Sequence, residues 1–192
     1  MKAWKRRDWM KTAALGAGAA GLASTGLRAV ESGNSFAADF GADWKLKTAN
    51  AIEMAEAMPA GKYDFKPTPE MRPFGELMVH LAGSNYFFAA GAAGEKPPAD
   101  GKFQGEHTKE NVVAFMRKAF EYAAGMVETI GDDRAGEVIP VFGSLKATRR
   151  KTCEFMLDHV THHLGYSVPY LRLAGVTKIP AYRFTGGSRS PM

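Results

Sequence analysis

A single cysteine among 192 residues, Cys153, rules out an internal disulfide, so the fold is not stapled whatever compartment it occupies. Long apolar runs are missing too. The uncharged stretch Thr12–Leu27 is mostly Ala and Gly, too short and too weakly apolar for a comfortable membrane span. A basic stripe is also absent. The formal net charge is +5, but six of the 25 basic residues and only two of the 20 acidic ones precede Ala38. The remainder carries 19 basic and 18 acidic residues, a near-neutral body that argues against nucleic acid as a partner. No internal repeat is visible, and a chain of this length with 45% hydrophobic residues suits one core rather than two.

The early excess of positive charge reads as an address. Arg6-Arg7 is followed by Trp9, Met10 and Lys11, which resembles a twin-arginine export signal, and Thr12–Leu27 is suited to its apolar region. Ser35 and Ala37 supply the small residues a signal peptidase inspects. The expected organisation is therefore a signal peptide over residues 1–37, cleaved between Ala37 and Ala38, and one domain over residues 38–192 that reaches the periplasm or is otherwise exported, with no stable membrane span after cleavage. An uncleaved N-terminal anchor is the alternative. This route carries proteins already folded and often already loaded with a cofactor.

Beyond Asp39 the patterning is helical. Trp44–Met58 carries apolar residues at helical spacing and ends at Pro59-Ala60-Gly61. Pro73 suits the first turn of a second helix, striped by Phe74, Leu77, Leu81 and Phe88 down to about Gly91. Thr108 can cap a third, running to about Ile130, with Val112, Phe115, Met116, Ala119 and Ala123 on one face. A short extended piece fits Val138–Phe142. A fourth helix spans about Leu145 to Ala174, closed by Gly175 with Pro180 soon after. Four amphipathic helices and no convincing strands predict an all-α four-helix bundle. Cys153, inside the last helix, is expected to be a buried free thiol.

The last helix also holds three of the five histidines within residues 159–163. His159 and His163 lie about 40° apart on one face, one turn removed, a spacing at which two imidazoles can share an ion. His162 points to the other side of His159. Thr152, Phe155, Met156, Tyr166 and Tyr170 share the histidine face and make it a mixed polar and aromatic wall. His80, in the strongly apolar second helix, is either a hydrogen-bonded core residue or a third ligand from a facing helix. Glu76, one turn earlier, could orient an imidazole, carry a proton or be a solvated residue. His107 precedes a helix start and reads as a surface loop residue.

Residues Ala55–Arg72, then Phe74–Ala82 around His80, then Asp158–His163 and the Leu171-Arg172-Leu173-Ala174-Gly175 ending together resemble the DinB family over nearly all of the chain after Trp44. The resemblance implies a four-helix bundle with a long crossover connection, a divalent metal held by His80, His159 and His163, and frequent homodimers. Some members are thiol-dependent transferases or isomerases. Where that family often continues its double histidine with Arg-Gly-Gln, this chain has Leu164-Gly165-Tyr166. Pro169 falls inside the last helix and is expected to kink it just beyond the ligands.

The leading expectation is an exported metalloprotein with an open coordination position. Zinc is the first choice, nickel, iron, copper and cobalt being acceptable to the same ligands. It would act as a metal-dependent transferase or hydrolase on a small molecule. The alternative is a module that retains a metal or small ligand without turnover, and the third reading is a metal-free structural bundle. N-terminal sequencing of the exported protein is expected to begin at Ala38, and a mature form that retains Arg6-Arg7 would overturn the signal reading.

Overall fold

The caps that start the long helices are local. Ser35 Oγ accepts from Ala38 N (3.1 Å), Thr108 Oγ1 from Asn111 N (3.3 Å) and Thr148 Oγ1 from Lys151 N (3.1 Å), which starts α1 (Phe36–Ala57), α3 (Lys109–Glu128) and α5 (Arg149–Leu173). The remaining long helix, α2 (Phe74–Ala93), begins after Pro73 and has no side-chain cap. The preceding connector serves instead, with Phe74 N donating to the carbonyl of Phe65 and Gly75 N to that of Tyr63. Gly94, at φ +85°, closes α2, and Gly175, at φ +87°, follows α5. Both occupy the left-handed region that glycine enters without a Cβ penalty. This computed structural model describes residues 35–142, 144–184 and 187–189.

Around the bundle the helices run in the order α1, α3, α2, α5, so α1 lies diagonally across from α2. Contacts at the two ends give their directions. Arg149 and Arg134 reach the C-terminal carbonyls of α2, and Phe36 N donates to Asp132. At the opposite end Tyr170 meets Arg72, Lys62 meets Ala174, and Gly75 approaches His107. Hence α2 runs antiparallel to α5 but parallel to α3, and residues 94–108 form the long crossover that parallel neighbours require.

Between α3 and α5 come a short α4 (Gly131–Ala135) and an antiparallel ribbon, β1 (Val138–Phe142) with β2 (Leu145–Thr148). The extended piece at Val138–Phe142 is as expected, but Leu145–Thr148 is its partner strand and not the start of the last helix. Val138 and Leu145 are exposed, so no core face drew that segment into a helix, and the Thr148 cap sets the start at Arg149. A small C-terminal hairpin, β3 (Tyr182–Phe184) with β4 (Gly187–Arg189), adds a second pair of strands that the helical patterning does not announce. It packs beside α1, where Asn50 Oδ1 accepts from Arg183 N and Asn50 Nδ2 donates to Arg183 O. Pro169 leaves α5 continuous from Arg149 to Leu173.

The first helix starts at Phe36 rather than near Trp44. Residues 1–34 of the expected signal segment lie outside the described residues, and Ser35–Ala37 form the N-cap and first turn of α1. Among the described residues no helix is long and apolar enough to cross a membrane. Phe40, Trp44 and Phe120 stack through the α1–α3 interface, with centroids 5.5 and 5.0 Å apart, and Trp44 Nε1 donates to Phe120 O at 3.0 Å. Because Trp44 is 3% exposed, Trp44→Ala is expected to cost about 3–5 kcal/mol in urea unfolding, and Trp44→Phe clearly less.

Candidate metal centre

His80 stands in the second turn of α2, and His159 and His163 stand one turn apart on α5. Antiparallel packing of these helices brings the three rings together. Centroids are 5.3 Å (His80–His159), 4.9 Å (His80–His163) and 4.4 Å (His159–His163) apart, and one ring nitrogen from each falls within 4.8 Å of the others. His159 Nε2 and His163 Nε2 are 3.1 Å apart. Two nitrogens bound tetrahedrally at zinc-like distances would be about 3.3 Å apart, so this pair is already near ligand spacing. The residues present therefore fit one transition-metal ion.

The electrostatics agree with that fit. Burial, reinforced by His80 and His162, holds the His159 pKa down to about 4, and burial with the neighbouring imidazoles and Arg72 holds His163 at about 3. His80 is also lowered, by burial and then by Arg72. All three imidazoles are thus neutral near pH 7, the form that donates a lone pair to a metal. The Nδ1 atoms of His159 and His163 are buried without a hydrogen-bond partner. No acceptor fixes their tautomer or orientation, which ligating histidines ordinarily receive.

Around the triad the walls are aromatic. Phe88 of α2 lies 5.7 Å from the His159 ring. On α5, His162 is exposed, lies 5.1 Å from His163 and 4.8 Å from Tyr166, and stands outside the group of three. Tyr166 is 50% exposed. Ser84 Oγ donates to the His80 carbonyl at 2.9 Å. Glu76 is exposed and lines a groove with Tyr63, His107 and Lys109, to which none of the three histidines contributes. His107 is an exposed loop residue, as expected, with its ring 4.8 Å from Phe103. Cys153 is a fully buried free thiol whose pKa burial pushes up to about 12.

Two features were not legible beforehand. Arg72 sits in the connector, where helical periodicity assigns no direction, yet it is the cation that acts on both His80 and His163. Phe88 reads as core stripe from its spacing but is a wall of the site. A groove of about 670 Å³ between α1 and α3 is lined by other residues, among them Phe40, Trp44 and Ile52.

The DinB superfamily model matches residues 44–167. The chain is similar to the uncharacterized protein YjoA of Bacillus subtilis, 28% identical over 135 residues that cover 68% of this chain and 86% of YjoA. The crystal structure of that DinB-like protein superposes with a TM-score of 0.64 at 21% identity, covering 76% of this chain and 99% of the other. A DinB-like protein from Bacillus cereus superposes with a TM-score of 0.62 at 17% identity, covering 73% and 93%. These superpositions bear out the all-α bundle.

The depressed pKa values have a signed consequence for stability. Unfolded histidines take up protons near pH 6.5, whereas folded His159 and His163 resist until about pH 4 and about pH 3. Metal-free protein is therefore expected to be most stable above pH 6.5 and to lose stability as pH falls from there toward 4. Urea titrations of chelator-treated protein across that range, compared with His163→Leu, measure the effect, and the variant's slope should be shallower.

Proposed function

Because the chain belongs to the DinB superfamily, and because its two facing helices set three neutral imidazoles within reach of one point, we propose that it is a metalloprotein whose ion is held by His80, His159 and His163. The observation that carries this reading is the 4.8 Å convergence of three ligand atoms that are held neutral. Zinc is the preferred ion, since three imidazoles with an open fourth position suit it, while nickel, copper, iron and cobalt meet the same donors. When bound, the ion would supply Lewis acidity and lower the pKa of a water or thiol beside it. We place this protein outside the cytoplasm, on the strength of Arg6-Arg7 and the apolar stretch after it.

The chain's own groups define what else the site does. Three neutral ligands leave an ion its full charge, which favours an anionic nucleophile or substrate group. Phe88 supplies an apolar ring beside His159. The exposed ring nitrogens of His162 and the Tyr166 hydroxyl stand at the rim, where they can accept or donate a proton. Transfer or hydrolysis on a small molecule is the reaction class that such a set serves.

A second reading, retention of a metal or small ligand without turnover, is favoured by one observation. The Nδ1 atoms of His159 and His163 lack orienting partners, so the ligand set is less rigidly held than catalytic geometry generally demands. Screening the metal-loaded protein with thiols and hydrolysable esters separates the two.

Elemental analysis of protein purified without added metal is expected to find about one equivalent of a transition metal, and little in His80→Ala. His163→Ala should lose metal far more severely than His162→Ala. Equal loss in those two would show that the ligand pair is misassigned, and a metal-free parent would overturn the proposal.

A further inference from the structure

We infer that Arg72 is the anion-positioning residue of the three-histidine site, and that the ligand of this site is a small molecule with a second anionic group, a carboxylate or a phosphoryl, besides the group that meets the ion. This deepens the metal-site reading and rests on it.

The placement of Arg72 comes first. Tyr170, 2% exposed, donates its hydroxyl to the Arg72 carbonyl at 2.8 Å and so pins this backbone against α5. Tyr170 follows His163 by seven residues, two turns along the same face, and Arg72 lies in the connector just before Pro73, at the start of the helix that carries His80 in its second turn. Both helices therefore lead from the triad to Arg72, at the end of the seam away from Phe88 and His159. Only the backbone carbonyl is tied down. The guanidinium is exposed and has no carboxylate partner among the described residues.

The charge balance comes second. Among the described residues the ligand-type side chains that converge here are the three histidines alone, with no carboxylate in the group, and Arg72 is the cation whose charge reaches His80 and His163. Glu76, the acid nearest His80 in sequence on α2, lines a different groove, and Asp158 is exposed. A dication entering three neutral ligands beside a free guanidinium leaves positive charge with nothing to balance it. An anion spanning the two positions relieves that excess, and the planar fork of a guanidinium matches a carboxylate or phosphoryl group with two parallel N–H···O bonds. An arginine here would otherwise only hinder loading of the ion.

The aromatic groups fix where the rest of the ligand lies. Tyr166 is half exposed on the turn of α5 between His163 and Tyr170, so its ring flanks the path from the triad toward Arg72. A short carbon chain between two anionic ends suits that path.

The test uses full-length protein loaded with cobalt(II), whose visible absorption reports what meets the ion. Three probes are titrated: butyrate, with one carboxylate; glutarate, with two; and 3-phosphonopropionate, which replaces one carboxylate by a phosphonate. Glutarate or the phosphonate is expected to bind about five- to tenfold more tightly than butyrate, and the tighter of the two identifies the second group as carboxylate or phosphoryl. Arg72→Gln should abolish that advantage, leave butyrate affinity within about twofold and keep one equivalent of cobalt, while Arg72→Lys should restore part of it. Because Tyr170 meets Arg72 through its backbone carbonyl, both substitutions keep that hydrogen bond. An advantage that survives Arg72→Gln, an equal loss for butyrate, or no advantage in the parent overturns the inference and leaves the metal site standing. Failure of the parent to take up cobalt overturns both.

Discussion

The antiparallel seam between α2 and α5 is the constraint on which the rest depends, and it is clamped at both ends. At one end Arg149, 8% exposed, donates to the Ala92 carbonyl and to Glu137, and at the other Tyr170 donates to the Arg72 carbonyl. The two clamps are about the same number of residues apart on each helix, roughly 30 Å of axis, so both close only in one register. A slip of one turn would move His80 by about 5.4 Å relative to the α5 pair, more than the whole spread of the three ligand atoms. Metal-site geometry is thus a consequence of contacts made well away from it.

Within that register the imidazoles face opposing demands. Partial burial and mutual proximity make protonation costly, which keeps lone pairs available. The same burial strands the Nδ1 atoms of His159 and His163 without acceptors, at a cost of about 1–3 kcal/mol for each unsatisfied group. A cluster arranged in this way is poor as a structural element, because a sealed apolar layer would serve the bundle better. Its arrangement makes sense when a ligand joins it. Asn85, fully buried with both side-chain polar atoms unpartnered, is a second polar group placed in the core of α2.

The other half of the bundle supplies rigidity. Trp44, Phe40 and Phe120 lock α1 to α3, and Glu56 pairs with Arg117 at the exposed margin, where an ion pair contributes little. Small residues along α1, among them Ala37, Gly41 and Ala49, leave a groove on this side. None of the three histidines lines that groove, so it is a poor guide to the site.

Helical periodicity, the Thr108 cap, the stop at Gly175 and the pairing of His159 with His163 were all legible in the residues, because each is set by interactions within a turn or two of chain. The start of α5 was not, because Leu145–Thr148 becomes a strand only by pairing with Val138–Phe142, a contact that periodicity does not report. The C-terminal hairpin is not legible for the same reason, since its place depends on Asn50 far away in sequence. His80 was ambiguous between core residue and ligand until the packing of α2 on α5 resolved its neighbours. Arg72 carried no signal at all, lying in a connector whose direction is decided by a hydroxyl on another helix. Local sequence determined the helices, their caps and the α5 histidine pair. Tertiary structure alone decided that His80 joins that pair and that the Arg72 backbone is held against Tyr170, because both depend on the register of two helices whose facing residues are more than fifty positions apart.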